Sequence, residues 1–212
     1  MDVRHKRTFF ISILAISLLS PVALADTVPV ALADPAEELE RANDLFEKEQ
    51  MMDAVVIFKK LAEQNYAPAQ ARLGEVLDYT EADEEAVGWY IMAAAQGSAE
   101  GAYGLGKMYL SGEGIKSDPT QALYWIKLAA EKDNLNAVKL LESSYRLGSP
   151  PSALGLAVDL QQAKLWEAKS NALYEVQKKA ADERKQASLK AIFEKQEAIK
   201  KADKEAAKKV AK

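Results

Sequence analysis

Small and bulky apolar positions recur along this chain at helical spacing, and the pattern itself returns. Ala86, Trp89, Ala93 and Ala94 lie on one stripe of a helix read from Glu84 to Gln96. The set recurs 36 residues later as Ala122, Trp125, Ala129 and Ala130, and a third copy opens 41 residues further on with Ala163 and Trp166. An insertion at 149–154 accounts for the longer interval. Upstream by 32 residues, Ala54, Leu61-Ala62 and Leu73-Gly74 align with Ala86, Ala93-Ala94 and Leu105-Gly106, with Ile57 in the Trp position. Helix pairs that bury a face only by stacking on the next pair predict an all-α solenoid.

The punctuation agrees with the periodicity. Gly97 stands where a left-handed residue ends a helix, and Asn65 and Asp133 hold the same place in the neighbouring copies. A second helix is predicted from Ala99 to Leu110, and Ser111-Gly112-Glu113-Gly114 forms the next turn. Gly148 matches Gly112, Gly155 matches Gly114, and Asp159 matches Asp118. Asp118-Pro119 supplies a cap followed by proline in the first helical turn, and Asp34-Pro35-Ala36-Glu37 does so before an extra leading helix. Gly101, Ala69 and Ala137 are small where two helices must approach, leaving Trp89, Trp125, Leu105 and Leu141 to fill the space. Tyr109 and Tyr145 are equivalent and read as core. Tyr90 and Tyr124, beside the repeat tryptophans, are the candidates for facing a groove where a partner peptide binds.

The pattern Ala-x-x-Trp-x-x-x-Ala-Ala-x-x-Gly-x-x-x-Ala-x-x-x-Leu-Gly-x-Met-Tyr-x-x-Gly-x-Gly resembles the Sel1-like repeat, a relative of the tetratricopeptide repeat. Residues 86–114 match almost throughout, with Gly101 at an Ala position and Leu105, Gly106, Met108, Tyr109, Gly112 and Gly114 in register. Residues 122–148 match with Glu142 in the glycine place, so that pair must splay or turn Glu142 outward. The resemblance spans Ala54 to about Ser170, with repeats near 54–80, 86–117 and 122–155 and a partial one at 159–170. It implies a right-handed α-solenoid and a binding scaffold of bacterial envelopes. Some secreted members carry a disulfide in each repeat; this chain has none.

The remaining segments differ in kind. Arg4, Lys6 and Arg7 precede the uncharged run from Thr8 to Ser20, broken by Pro21 and followed by Ala23-Leu24-Ala25. That order describes an export signal at 1–25. Pro21-Val-Ala-Leu-Ala-Asp26 recurs as Pro29-Val-Ala-Leu-Ala-Asp34, so either Ala25 or Ala33 ends it; Ala25 gives the more ordinary length. Residues 26–34 are then a linker, 35–170 the solenoid, and 171–212 a tail. Residues 26–170 carry 13 basic and 24 acidic side chains, a net of −11; residues 171–212 carry 12 and 7, a net of +5. The tail has no Gly or Pro and is rich in Ala, Lys, Glu and Gln, so a long C-terminal helix is predicted, with a break near Ser170-Asn171 left open. It reads as a cap that projects away, or as a basic arm for an acidic surface, anionic headgroups or a second copy.

Chemistry narrows the function. The chain has 212 residues with no Cys and one His, His5, inside the signal segment. A mature chain lacking both loses the commonest general base, metal ligand and neutral-pH nucleophile. Glu40 with Asp44, and the run Glu81-Ala82-Asp83-Glu84-Glu85, read as solvated helix faces and a helix-start cluster. Gly104-Leu105-Gly106 lies mid-helix without a preceding strand and is repeat packing. No enzyme activity, cofactor or metal is expected, and no nucleic-acid partner. The expected function is an exported scaffold, periplasmic or secreted, that holds another envelope protein. An accessory of an envelope machine such as a flagellar stator is the alternative, and a cell-wall or β-lactam hydrolase the minor one.

Overall fold

The computed structural model describes residues 34–148 and 154–210, with side chains as far as Lys201. The export signal, the linker before Asp34 and the body of the 149–154 insertion lie outside the described residues. Among the described residues there are eight helices and no strands. They are α1 (Pro35–Glu47), α2 (Met51–Glu63), α3 (Ala67–Tyr79), α4 (Asp83–Ala95), α5 (Ala99–Ser111), α6 (Pro119–Glu131), α7 (Leu135–Leu147) and α8 (Leu160–Val210). Each packs on the next, α3 also touches α5, and α3, α5 and α7 line one shared cavity, so these three helices form an inner row. This is the expected solenoid with its long terminal helix.

Local chemistry sets the boundaries. Asn65, Gly97 and Asp133 all have positive φ, at 62°, 85° and 67°. Each closes the same double bond: at Gly97 the amide donates to the Ala94 carbonyl at 2.8 Å and that of Ser98 to the Ala93 carbonyl at 3.0 Å. The other kind of end is equally regular. The amides of Asp118 and Asp159 donate to the carbonyls of Tyr109 and Tyr145 at 3.0 and 2.8 Å, which docks each capping Asp on the preceding helix. Asp118 Oδ1 then accepts from the Thr120 and Gln121 amides, and Asp159 Oδ1 from those of Gln161 and Gln162.

The core corrects one expectation. The tryptophans do not fill it: Trp89, Trp125 and Trp166 are half-buried and pack against its margin. The buried bulky position is one residue later, four after the repeat Ala, and is held by Phe58, Tyr90 and Ile126. Ala54, Ala86, Ala122 and Ala163 are all buried beside it. At 100° per residue one step moves a side chain from the centre of the buried stripe to its shoulder.

Glycine makes room for those bulky groups. A Cβ on Gly106 would lie 2.7 Å from Ile126 Cγ1, and one on Gly74 2.8 Å from the Tyr90 ring. At the next interface the pair becomes Glu142 and Glu167, and Arg146 bridges them at 2.9 and 3.1 Å. Glu142 thus neither splays the helices freely nor points to bulk solvent; it joins a half-buried polar seam. Beyond it α8 runs unbroken through Ser170 and Asn171, 51 residues and about 76 Å at 1.5 Å per residue.

Candidate partner-binding surface

The inner row frames a cavity of about 370 Å³. Arg72 and Glu75 of α3, Tyr103 and Lys107 of α5, Asn136 of α7 and its capping residue Asn134 contribute to its lining, and Gln177 of α8 reaches it. Its cations are held in ion pairs. Arg72 pairs with Glu75, donates from Nε to Asn43 Oδ1 at 3.0 Å, and lies over the rings of Phe46 and Phe58 at 5.1 and 5.5 Å. Lys107 Nζ reaches Asp78 Oδ2 at 3.2 Å. Such a wall offers fixed cations, carboxylates, amides and one tyrosine edge, which suits a peptide better than a small apolar ligand.

Tyr90 reaches this cavity without being an open aromatic. Its ring is 4% exposed and sits between Gly74 of α3 and Gly104 of α5. Burial pushes its hydroxyl above the ordinary tyrosine range, and the carboxylates of Asp78 and Glu75 add to the shift. A groove-facing contact role for the Tyr90 ring is therefore set aside. Tyr124 is 58% exposed and stacks edge-on against Trp125, with ring centroids 5.1 Å apart. It does not line the inner cavity with Tyr90, so the two tyrosines are not brought together.

The other repeat residues fall in structural places. Ala94, Ala130, Leu105 and Gly106 are buried, Tyr109 and Tyr145 are half-buried against the core, and Gly112 and Gly114 have φ of 81° and 64°. The residues that sequence reasoning missed are Arg72, Tyr103, Lys107 and Asn136. Their signal was available: they fall on the inner side of helices whose other side carries the repeat apolar set. The acidic run at Glu81–Glu85 crowds charge instead of forming a site. Asp83 is held above the usual carboxylate range by partial desolvation and by Glu113, Asp78 and Glu81. Among the described residues no three His, Cys, Asp or Glu side chains gather as metal ligands, and no helix is long and apolar enough to cross a membrane.

Comparison with known proteins agrees with this architecture. The family model described as Sel1 repeat matches residues 67–98, 99–134 and 131–149. Its unit begins at α3 and α5, pairing α3 with α4 and α5 with α6, one helix out of phase with a count from the tryptophan helices. A Sel1 repeat protein from Oxalobacter formigenes has a similar structure, with TM-score 0.55 and 33% identity over 66% of this chain and 58% of that one. So has a protective antigen present in uropathogenic Escherichia coli strains, displaying an SLR fold, with TM-score 0.52 and 28% identity over 66% of this chain and 30% of that one. This chain thus spans less than two thirds of either relative. Sel1 repeat proteins generally mediate protein–protein interaction and are typically non-catalytic. The chain carries three Sel1 repeats, and its fold is the Sel1 solenoid.

Proposed function

We propose that the chain is an exported scaffold of the cell envelope that holds another envelope protein on the inner face of its solenoid. The observation that carries this reading is the polar, charge-fixed cavity shared by three successive inner helices, with Tyr103 and Asn136 at its wall. The basic start, uncharged run and small-x-small site at the amino terminus support export. Cleavage after Ala25 fits the fold better than cleavage after Ala33. The second would put a protonated α-amino group on Asp34, whose side chain caps α1 by accepting from the Ala36 amide at 2.9 Å. A cation there opposes the helix dipole.

A photo-crosslinking amino acid at Tyr103 or Asn136, set against one at Glu63 on an outer helix, tests the surface. Capture of one envelope protein from the two inner positions, lost on Lys107→Glu with melting unchanged, is the expected result. Equal capture from Glu63 would refute the inner-face assignment. Amino-terminal sequencing of the native protein should begin at Asp26.

A further inference from the structure

The described part of α8 does not simply project away. Its first turns are anchored: Lys169 Nζ pairs with Asp133 at 2.8 Å and donates to the Glu131 carbonyl at 3.3 Å. Leu173 packs half-buried against the core. One stripe then continues through Gln177, Ala180 and Arg184, at spacings of four, three and four residues. Gln177 lines the inner cavity with Arg72, Tyr103 and Asn136. Two turns on, Arg184 lines a second cavity of about 370 Å³ with Glu40, Asp44 and Glu47 of α1 and with Arg72. The helix therefore crosses the inner face from the last repeat to the first helix.

The crossing is loose. Every α8 side chain from Gln177 to Lys201 is exposed, so cavities and not packed side chains lie beneath it. The force that suits such a geometry is charge acting across water. The acids at the far end, Glu40, Asp44 and Glu47, share their cavity with Arg184, while Arg72 lies opposite; around Arg184 the segment from Lys178 to Lys185 carries four cations against Asp182 and Glu183.

We propose that the middle of α8 is an intramolecular strap over the partner surface, an autoinhibitory contact held by screened charge and displaced when the partner binds. The inference rests on the inner face being that surface. The strap also describes what the face accepts: a helix with small residues at the crossing, an amide over the inner cavity and a cation over the acids of α1. A basic helix of the partner would take its place.

The chain has no native cysteine, so Lys48→Cys and Gln186→Cys give the full protein two unique spin-label sites, both exposed. A short, narrow distance distribution is expected at about 0.01 M salt. It should lengthen at about 1 M, where the screening length falls from about 30 to about 3 Å, and in Arg184→Glu at low salt. A long distribution at low salt, or a short one that ignores both salt and Arg184→Glu, would overturn the strap. A fluorescent peptide of residues 171–201 is the second probe. If the strap is closed in about nine molecules of ten, the full-length Arg184→Glu chain should bind it about tenfold more tightly than the parent, and Tyr103→Ala in that background should lose the gain. Spin-label distances that respond as expected while the peptide binds both chains equally would show a helix that crosses the face without occluding it and would overturn the autoinhibition; the inner-face reading fails separately, in the crosslinking from Tyr103 and Asn136.

Discussion

At the scale of single residues, Tyr90 shows how the repeat reconciles bulk with close packing. The columns of the repeat place Phe58, Tyr90 and Ile126 together, an apolar column in which a tyrosine is a core residue with a polar end. Tyr124 belongs to another column, with Val56 and Gly88, and Val56 is itself 67% exposed. Reading the two tyrosines as a pair followed their nearness to tryptophan and overlooked those columns. A Cβ on Gly104 would come within 2.3 Å of the Tyr90 ring, whereas one on Gly88 meets nothing within 4 Å. Gly104→Ala should therefore lower stability by about 1–3 kcal/mol as overpacking outweighs improved helix propensity, and Gly88→Ala should raise it by up to about 1 kcal/mol. Thermal melts of the two variants check both signs. The Tyr90 hydroxyl adds an alkaline signature. Its folded value lies above its unfolded value near 10, so between the two the unfolded chain has released a proton that the native one keeps. Stability from this group is complete below about pH 10 and is lost as pH rises beyond it. Tyrosinate absorbance should show one residue ionising only with unfolding, and Tyr90→Phe should remove that component.

At the scale of elements, the helix ends decide how much could be read in advance. Glycine at 97 and Asp-Pro at 118–119 are legible because their backbone demands are written in residue type, and α4 and α5 begin and end within one residue of expectation. Glu49 and Glu81 hide the same function, each at φ 62° with the same double bond, as the Ala82 amide to the Leu77 carbonyl at 2.9 Å shows. A glutamate does not advertise a left-handed conformation, and the first copy's link is four residues shorter, which shifts the stop off the alignment. The break left open at Ser170-Asn171 does not occur: Ser170 is buried at the contact with the last repeat, and nothing there forbids helical φ. The inner cavity left one signal in the sequence, the place of its lining residues opposite the repeat apolar set, but their identities are polar and vary among copies, so no repeating motif marks them. Glu81→Gly should raise stability by about 1 kcal/mol by releasing left-handed strain, with a further gain at low salt from removing a charge near Asp83. Urea titrations at two salt concentrations would read both parts, and a loss of stability would show that Glu81 makes a contact worth more than the strain.

At the scale of the whole molecule, cohesion is graded along the solenoid. Each repeat is stabilised chiefly by its neighbours, so one weak interface limits how far the cooperative unit extends. Between α5 and α6 the contact is glycine against isoleucine, Gly106 against Ile126, and is dry. Between α7 and α8 the same position is Glu142 against Glu167 with Arg146 between, all of them at least partly accessible to water, where such pairs contribute about 0–1 kcal/mol each. The solenoid should therefore open from its carboxyl-terminal side. Native-state hydrogen exchange should find the slowest amides in α4, α5 and α6, a middle class from Leu160 to Leu173, and residues beyond Lys178 faster than α5 by a factor of about 100 or more. The strap does not alter that order, because charge across a water-filled gap orients a helix without excluding solvent from its amides. Exchange beyond Lys178 as slow as in α5 would mean instead that the tail packs into the cooperative core.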